Sequence, residues 1–338
     1  MSNLDYLILF ALSLLILYFF LKNRYLIGKY FHVLDIPSKD KIHISTTPLV
    51  GSFSLILISI IFIFFFNNSY MIEKVIMIFT FSYLFFIMGY IDDRYNIKAY
   101  TKLLFSIIFL TLALNLSDNF LLKDIYVGFL DRHFFLDKIS FFFSILCLLL
   151  LINALNLIDG INGLASGFAS IWLFCLSLLS SGEIKTFFLL FSFFAIVNTY
   201  YIIKGKYFLG DSGTLFLGSL VGLLTIYTYN NLFIVNLLIP IEKIFIFFMI
   251  PGIDMFRLFI IRLSNKKDPF SRDLNHQHHI MLKYFSLYKT LSIYFILFIT
   301  TNTLSFFDYA EPIVIILIYL VLYVLFIFFS KKKFEKTS

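Results

Sequence analysis

Two adjacent carboxylates, Asp92 and Asp93 in MGYIDDRYNIK (Met88 to Lys98), break into a long apolar run, where neighbouring negative charges need a partner. Paired aspartates suit a divalent cation or a proton acceptor. They also suit the first turn of a helix, where Asp satisfies free N–H groups and the helix dipole. Further along, NALNLIDGINGLASG (Asn153 to Gly167) places Asn153, Asn156, Asp159 and Asn162 at every third position. That spacing lines them along one helical face running into the breaks at Gly160 and Gly163. FLGDSGTLFLG (Phe208 to Gly218) sets Asp211 in a glycine-flanked turn at the start of another apolar run. LDIPSKDKIHISTTPLVGS (Leu34 to Ser52) carries Lys41 and His43, and the stretch from Asp254 to Ile280 carries Arg257, Arg262, His276, His278 and His279.

Carboxylates beside glycine turns, with Lys, Arg and His nearby, are what a magnesium-bound diphosphate requires. Mg²⁺ takes one or two carboxylates and fills its remaining positions with phosphate oxygens and water. The backbone N–H groups of a helix start, as after Asp211, cradle phosphate, and basic side chains neutralise the rest. Each stretch also has a plainer reading. Asp92 and Asp93 could cap a helix, and Asp159 and Asp211 could be turn residues beside Gly. The three histidines could be a zinc site, although Cys ligands are absent and H-x-H-H spacing alone is weak. Lys331 to Lys333 read as a basic tail beside anionic lipid.

The elements that must position these residues follow from composition. Of 338 residues, 60% are hydrophobic, 20% aromatic and only 14% charged, which excludes an ordinary soluble domain. Runs long enough for a bilayer, about 17 to 25 residues each, recur along the whole chain. The expected fold is therefore all-α, one polytopic membrane domain over 1–338, with about eleven spans. They fall near 4–21, 48–66, 71–91, 102–117, 139–157, 164–180, 186–203, 213–229, 232–252, 288–305 and 312–330. Asp5 precedes the first run and no small-residue cleavage site follows it, so the run reads as a retained helix.

With the N-terminus outside and the C-terminus cytoplasmic, 21 of the 27 Lys and Arg residues fall on the inner side, as the positive-inside rule requires. Topology thus accounts for the net charge of +7 without nucleic acid. All five polar stretches then lie on the cytoplasmic face. The longest outer loop, Ser117 to Lys138, mixes Lys123, Asp124, Asp131, Arg132 and His133 without pattern and reads as solvated surface. Cys147 and Cys175 lie inside apolar runs and read as packing residues.

With these motifs in order, the chain resembles the polyprenyl-phosphate N-acetylhexosamine-1-phosphate transferases, the group that includes the phospho-N-acetylmuramoyl-pentapeptide translocase. GYIDDRYNI followed by TKLL looks like that family's paired-Asp motif with its downstream lysine, here Lys102. NALNLIDGINGLASG fits the N-x-x-N-x-x-D-G-x-N-G-L-A signature at every fixed position. LGDSGTLFLG fits the G-D-x-G-S/T motif, and Asp273 to His279 fits the D-x-x-H-x-H-H loop. The histidine loop and Asn162 are similar to the branch that starts O-antigen, common-antigen or teichoic-acid chains. Departures are Asp40, Ser52 and Leu274, where the family carries Arg, Gly and Arg.

The resemblance implies transfer of a HexNAc-1-phosphate, GlcNAc-1-phosphate first among the choices, from a UDP-sugar to undecaprenyl phosphate at the cytoplasmic face of a bacterial inner membrane, with release of UMP. It implies Mg²⁺, with Mn²⁺ as a substitute, held by Asp211 and Asp93. Asp92, Asp93 and Asp159 are the implied catalytic group. The lipid phosphate is largely ionised at neutral pH, its second pKa lying near ~6. Two roles for the pair therefore stay open: Asp92 takes the residual proton, or the pair positions the metal and its waters. Lys41, His43, Lys102, Asn153, Asn156, Asn162, Arg257, Arg262, His276, His278 and His279 are the implied substrate contacts, and a homodimer is left open. The competing class is a transporter or flippase of a lipid-linked or anionic substrate, which predicts polar groups at mid-bilayer.

Overall fold

The computed structural model describes residues 3–37, 45–66, 69–234, 238–269 and 275–335. Lys41 and His43, the departures at Asp40 and Leu274, and the loop aspartate Asp273 lie outside the described residues. The helices in chain order begin with α1 (Asn3–Tyr30), followed by the two-residue strands β1 (Leu34–Asp35) and β2 (Thr47–Pro48). Next come α2 (Gly51–Phe65), α3 (Ser69–Tyr95), α4 (Ala99–Leu116), β3 (Asp124–Val127), β4 (Arg132–Phe135), α5 (Ser140–Leu157), α6 (Leu164–Leu179), α7 (Gly182–Ile203) and α8 (Gly210–Ile234). The chain ends with α9 (Ile241–Ser264), α10 (Gln277–Leu282), α11 (Leu287–Phe306) and α12 (Pro312–Glu335).

Among the described residues, eight helices are long and apolar enough to cross a membrane, so this is a multi-pass membrane protein. Apolar helices α2 and α6, of 15 and 16 residues, are shorter. Each of the eleven expected runs meets a helix, but several boundaries move. The ninth run begins at Ile241 instead of 232, because Pro240 takes the N-cap position, and it continues to Ser264. Asp254, Arg257 and Arg262 therefore stand in a helix and not in a loop. Helix α1 runs nine residues past Leu21, and α3 runs through Asp92 and Asp93 to Tyr95. The fold is also not purely helical. Between α4 and α5, Asp124–Val127 pairs antiparallel with Arg132–Phe135, and Asp131 turns the hairpin with a left-handed backbone. Asp124 bonds His133 at 3.1 Å and Asp131 bonds Tyr126 at 3.0 Å, so the charges there are paired in a pattern that composition did not reveal.

The chain divides into two compact units, Met1–Leu122 with Ile139–Asn231, and Lys123–Lys138 with Leu232–Ser338. In the first, α8 is buried along its length. It is accordingly rich in small residues that let backbones approach: a Cβ on Gly218 would lie 3.1 Å from the Ile152 Cα of α5, and one on Gly222 would lie 2.8 Å from Leu148. An aromatic core joins α2, α3, α7 and α8. Phe62 and Phe79 each pack against Phe187 and Phe191, and Phe79 also meets Phe216.

In the second unit α9 packs against α11 and α12. The β3–β4 hairpin is fastened to the start of α9, where buried Glu242 accepts the Phe129 N–H at 2.9 Å.

The connection into α8 is clamped. Phe208 N–H donates to Pro48 O at 2.9 Å, Gly51 N–H to Phe208 O at 3.0 Å, and Asn198 Nδ2 to Gly51 O at 2.8 Å. Buried Tyr207 completes the clamp by donating its hydroxyl to Asn198 Oδ1 at 2.6 Å. Tyr207→Phe would strand that acceptor in the interior, a loss of about 1–3 kcal/mol. A lowered melting temperature in detergent, with the helical circular dichroism retained at low temperature, is the expected result.

Candidate active site

The first unit gathers residues from four helices. Asp93, on α3, accepts the N–H of Asp211 on Oδ1 at 2.8 Å and the N–H of Ser212 on Oδ2 at 3.0 Å. It thereby caps the N-terminus of α8, a helix that starts more than a hundred residues later, where a carboxylate answers both the free N–H groups and the dipole. Two glycines permit the approach. At Gly210, φ is +75° and a Cβ would stand 2.7 Å from Asp93 Oδ2; at Gly89, a Cβ would collide with the backbone of Asp211 and Ser212.

With α8 seated in this way, Asp211 faces Lys102 and Asn156. Lys102 Nζ, from α4, lies 2.6 Å from Asp92 Oδ2 and 3.5 Å from Asp211 Oδ2. Asn156, near the end of α5, donates Nδ2 to Asp211 Oδ1 at 3.1 Å and to Thr214 Oγ1 at 3.0 Å. The Asp92 side chain is 1% exposed, and its Oδ1 has no donor. Asp159, just past α5, has its carboxyl held well above the usual range by burial and then by the charges of Asp211 and Asp93. Asp92 and Asp211 thus share one lysine ammonium, with the carboxyls of Asp93 and Asp159 nearby, a crowding of oxygen donors.

Hard divalent cations prefer oxygen ligands, and the ammonium already placed between Asp92 and Asp211 marks where positive charge is favoured. Among the described residues, the one trio whose ligand atoms all lie within 4.8 Å of one another is elsewhere, at Asp254, His276 and His278. The aspartate cluster accordingly fits a cation that takes one or two carboxylates and keeps water or phosphate oxygens for the rest, which is the habit of Mg²⁺.

Other expected contacts fall differently. Asn153 turns its amide onto its own helix, donating to Leu149 O at 2.8 Å. Asn162 lies beyond the end of α5, beside Gly205. Ser52, where the resembled family carries Gly, bonds the Ser212 hydroxyl at 3.1 Å and so helps fix the start of α8.

The second unit has its own cluster around Asp254. Oδ1 accepts from Arg257 Nη2 at 2.9 Å and from the Tyr323 hydroxyl at 2.6 Å, and Oδ2 bonds His276 Nδ1 at 2.8 Å. The Gln277 N–H reaches both oxygens at 3.2 Å. Arg257, expected to touch substrate, spends its donors on Asp254, Tyr323 and the Asn275 carbonyl. Arg262 is buried and donates to the Pro269 carbonyl at 2.9 Å. The rings of His276 and His278 stack at 5.3 Å, and those of His278 and His279 lie 4.3 Å apart. Burial, then the neighbouring imidazoles His279 and His276, push the His278 pKa well below its usual value, so that ring is neutral. Asp254 and Tyr323 escaped the motif reading. The available signal was an isolated carboxylate inside an apolar run, which by itself suggests a site.

A family model described as glycosyl transferase family 4 matches residues 75–229, the span holding Asp92, Asp93, Lys102, Asn156, Asp159 and Asp211. A Bacillus subtilis protein named a probable undecaprenyl-phosphate N-acetylglucosaminyl 1-phosphate transferase is 28% identical over 257 residues, covering 74% of this chain and 70% of its own. An undecaprenyl-phosphate alpha-N-acetylglucosaminyl 1-phosphate transferase of Thermotoga maritima is 27% identical over 264 residues, covering 77% and 76%. The protein of that name from Escherichia coli K12 is 24% identical over 288 residues, covering 82% and 76%. The matched segment encloses the whole aspartate cluster, and over it the chain is similar to glycosyl transferase family 4.

Proposed function

We propose that this protein transfers GlcNAc-1-phosphate from UDP-GlcNAc to undecaprenyl phosphate and releases UMP, the first membrane step of a cell-surface polysaccharide. We place it in a bacterial inner membrane with eleven spans and the aspartate cluster at the cytoplasmic face. The observation that carries the reading is four carboxylates, Asp92, Asp93, Asp159 and Asp211, gathered about the start of α8 with Lys102 among them. The names of the relatives supply the donor sugar and the acceptor.

In this reading an oxygen of the lipid phosphate attacks the sugar-side phosphorus of the UDP-sugar. The bond from that phosphorus to the bridging oxygen breaks, and UMP leaves with the bond's electrons. The lipid phosphate is already largely ionised, its second pKa lying near ~6, so positioning and charge stabilisation matter more than strong base catalysis. Asp211 and Asp92 would hold Mg²⁺, with Asp159 beside them. When bound, the cation neutralises charge gathering on the diphosphate. Lys102 exchanges its carboxylate partners for phosphate oxygens, and Asn156 keeps Asp211 in place. Asp93 serves by orienting Asp211 through the cap. Its oxygens are engaged by backbone, so the metal role expected of it passes to Asp92.

Membranes carrying the protein, supplied with undecaprenyl phosphate, Mg²⁺ and a panel of UDP-HexNAc donors, should release UMP and form lipid-linked sugar. No UMP with any donor, under conditions where a related transferase works, would overturn the assignment. Asp211→Asn is expected to cut the rate by at least 10²-fold, on the order of losing one preorganised electrostatic group.

Asp159 gives a second test, with its sign fixed by the raised carboxyl. The metal-free folded protein binds more protons there than the unfolded chain, whose Asp titrates near ~3.9. Stability should therefore fall as pH rises from about 4 through the raised folded value. Asp159→Asn should remove that fall, melting higher than the parent at neutral pH without metal and losing the advantage near pH 4. Mg²⁺ binding should release protons from the parent, measured by calorimetry in buffers of different ionisation enthalpy, and release fewer from Asp159→Asn.

A further inference from the structure

The β3–β4 hairpin belongs to the second unit and takes no part in the aspartate chemistry, yet its residues sort by face. Partners across an antiparallel ladder share a face, and neighbours along a strand alternate. Asp124, Tyr126 and His133 therefore lie on one face, where Asp124 bonds His133 at 3.1 Å and the Tyr126 hydroxyl donates to Asp131 at 3.0 Å. The other face carries Ile125, Val127 and Phe134. Ile125 is buried but Phe134 is half exposed, and at the tip Phe129 is 58% and Leu130 48% exposed. The polar face thus has Asp124 and Asp131 paired, while the apolar tip stays uncovered.

The depth of the tip is set by α9. The Phe129 N–H donates to Glu242 Oε1 at 2.9 Å, and a Cβ on Gly128 would stand 2.8 Å from the Pro240 Cβ. Pro240 is the N-cap of α9 and Glu242 lies in its first turn, where a helix long and apolar enough to cross a membrane begins. Glu242 is only 6% exposed, so the fastening is made in the interior, where a hydrogen bond to a carboxylate is stronger than at a wet surface. At the same end of α9, Lys243 holds Asp308 at 2.7 Å, and the exposed rings of Phe307 and Tyr309 on either side of Asp308 stack at 6.0 Å. Exposed aromatic side chains at the start of a span favour the interfacial layer of a bilayer.

We propose that the hairpin tip rests in that interfacial layer, with Phe129, Leu130 and Phe134 among the lipid and the Asp124–His133 face in water. The partner is a lipid surface and not a protein, because these side chains continue the exposed apolar surface of α9, which shows Phe245 one turn further on. A tip inserted by about 5–10 Å, the usual depth of an interfacial apolar face, resists sliding of α9 along the membrane normal, and the Glu242 bond carries the restraint from hairpin to helix.

The chain holds a single tryptophan, buried Trp172, so one reporter can be placed at will. The full chain carrying Trp172→Phe with either Phe129→Trp or His133→Trp is reconstituted into phosphatidylcholine vesicles, plain or brominated near the headgroup or near the chain ends. The Phe129→Trp reporter should emit at shorter wavelength than its His133→Trp counterpart and lose fluorescence in brominated lipid. The loss should be greater with bromine near the headgroup than near the chain ends, and aqueous acrylamide should quench it little. The His133→Trp reporter should behave in reverse, quenched by acrylamide and little affected by bromine.

If Trp172→Phe does not fold, the same reporters are placed in the parent and read as the difference from it, since the Trp172 signal is common to all. A tip reporter quenched by acrylamide and not by bromine would make the hairpin a solvated loop. One quenched by neither would place protein over the tip, a second copy or another partner. Either result, or equal bromine quenching at both positions, would overturn the proposal.

Discussion

The capping of α8 by the carboxylate of Asp93 is the constraint on which the aspartate cluster rests. A helix that is buried along its length cannot leave its first N–H groups to water, and here the acceptor comes from another helix. That acceptor ties α3 to the start of α8. The tie in turn dictates glycine at 89 and 210, where side chains would collide with what the cap brings close. Asp211 follows the capped N–H, and its carboxylate comes to lie among Lys102 and Asn156. The Ser52–Ser212 bond and the Tyr207–Asn198–Gly51 clamp hold the same helix start from α2 and α7.

The two units differ in the charge they leave unbalanced. In the first, Asp92 and Asp211 share one ammonium, and the crowding of carboxyls shows in Asp159, whose pKa burial and the charges of Asp211 and Asp93 hold well above its usual range. In the second, a single carboxylate is surrounded by donors, including a guanidinium and an imidazole. Buried charges of either kind are costly unless compensated. The first cluster keeps an excess of carboxylates, and the second surrounds its carboxylate with compensating donors.

Much of this was legible in the sequence. The apolar periods located each long helix, because a bilayer demands about twenty apolar residues and tolerates few exceptions. The exception was α9, where Asp254, Arg257 and Arg262 looked like loop residues. They are helical because their charges are satisfied by one another and by Tyr323, His276 and backbone carbonyls, partners far away in sequence. The β3–β4 hairpin was missed for a similar reason. It carries Asp124–His133 and Tyr126–Asp131 bonds between residues that are ordinary surface residues one at a time. Motif spacing put Asp92, Asp93, Asn156, Asp159 and Asp211 on one list. It could not show that Asn153 bonds its own helix or that Arg257 is consumed in holding Asp254.

The pair Asp92–Asp93 shows how far a motif can be taken. As loop residues, two adjacent carboxylates could both turn toward one cation. The structure keeps both inside α3, which runs to Tyr95, and successive positions on a helix point about 100° apart. The two side chains therefore diverge. Asp93 reaches the backbone at the start of α8, and Asp92 reaches Lys102 with one oxygen while the other stays buried without a donor. Helix cap and chemical group were alternative readings of the pair, and helical geometry assigns one to each residue. The oxygen left without a donor is on Asp92, and the backbone of Asp211 is held by Asp93.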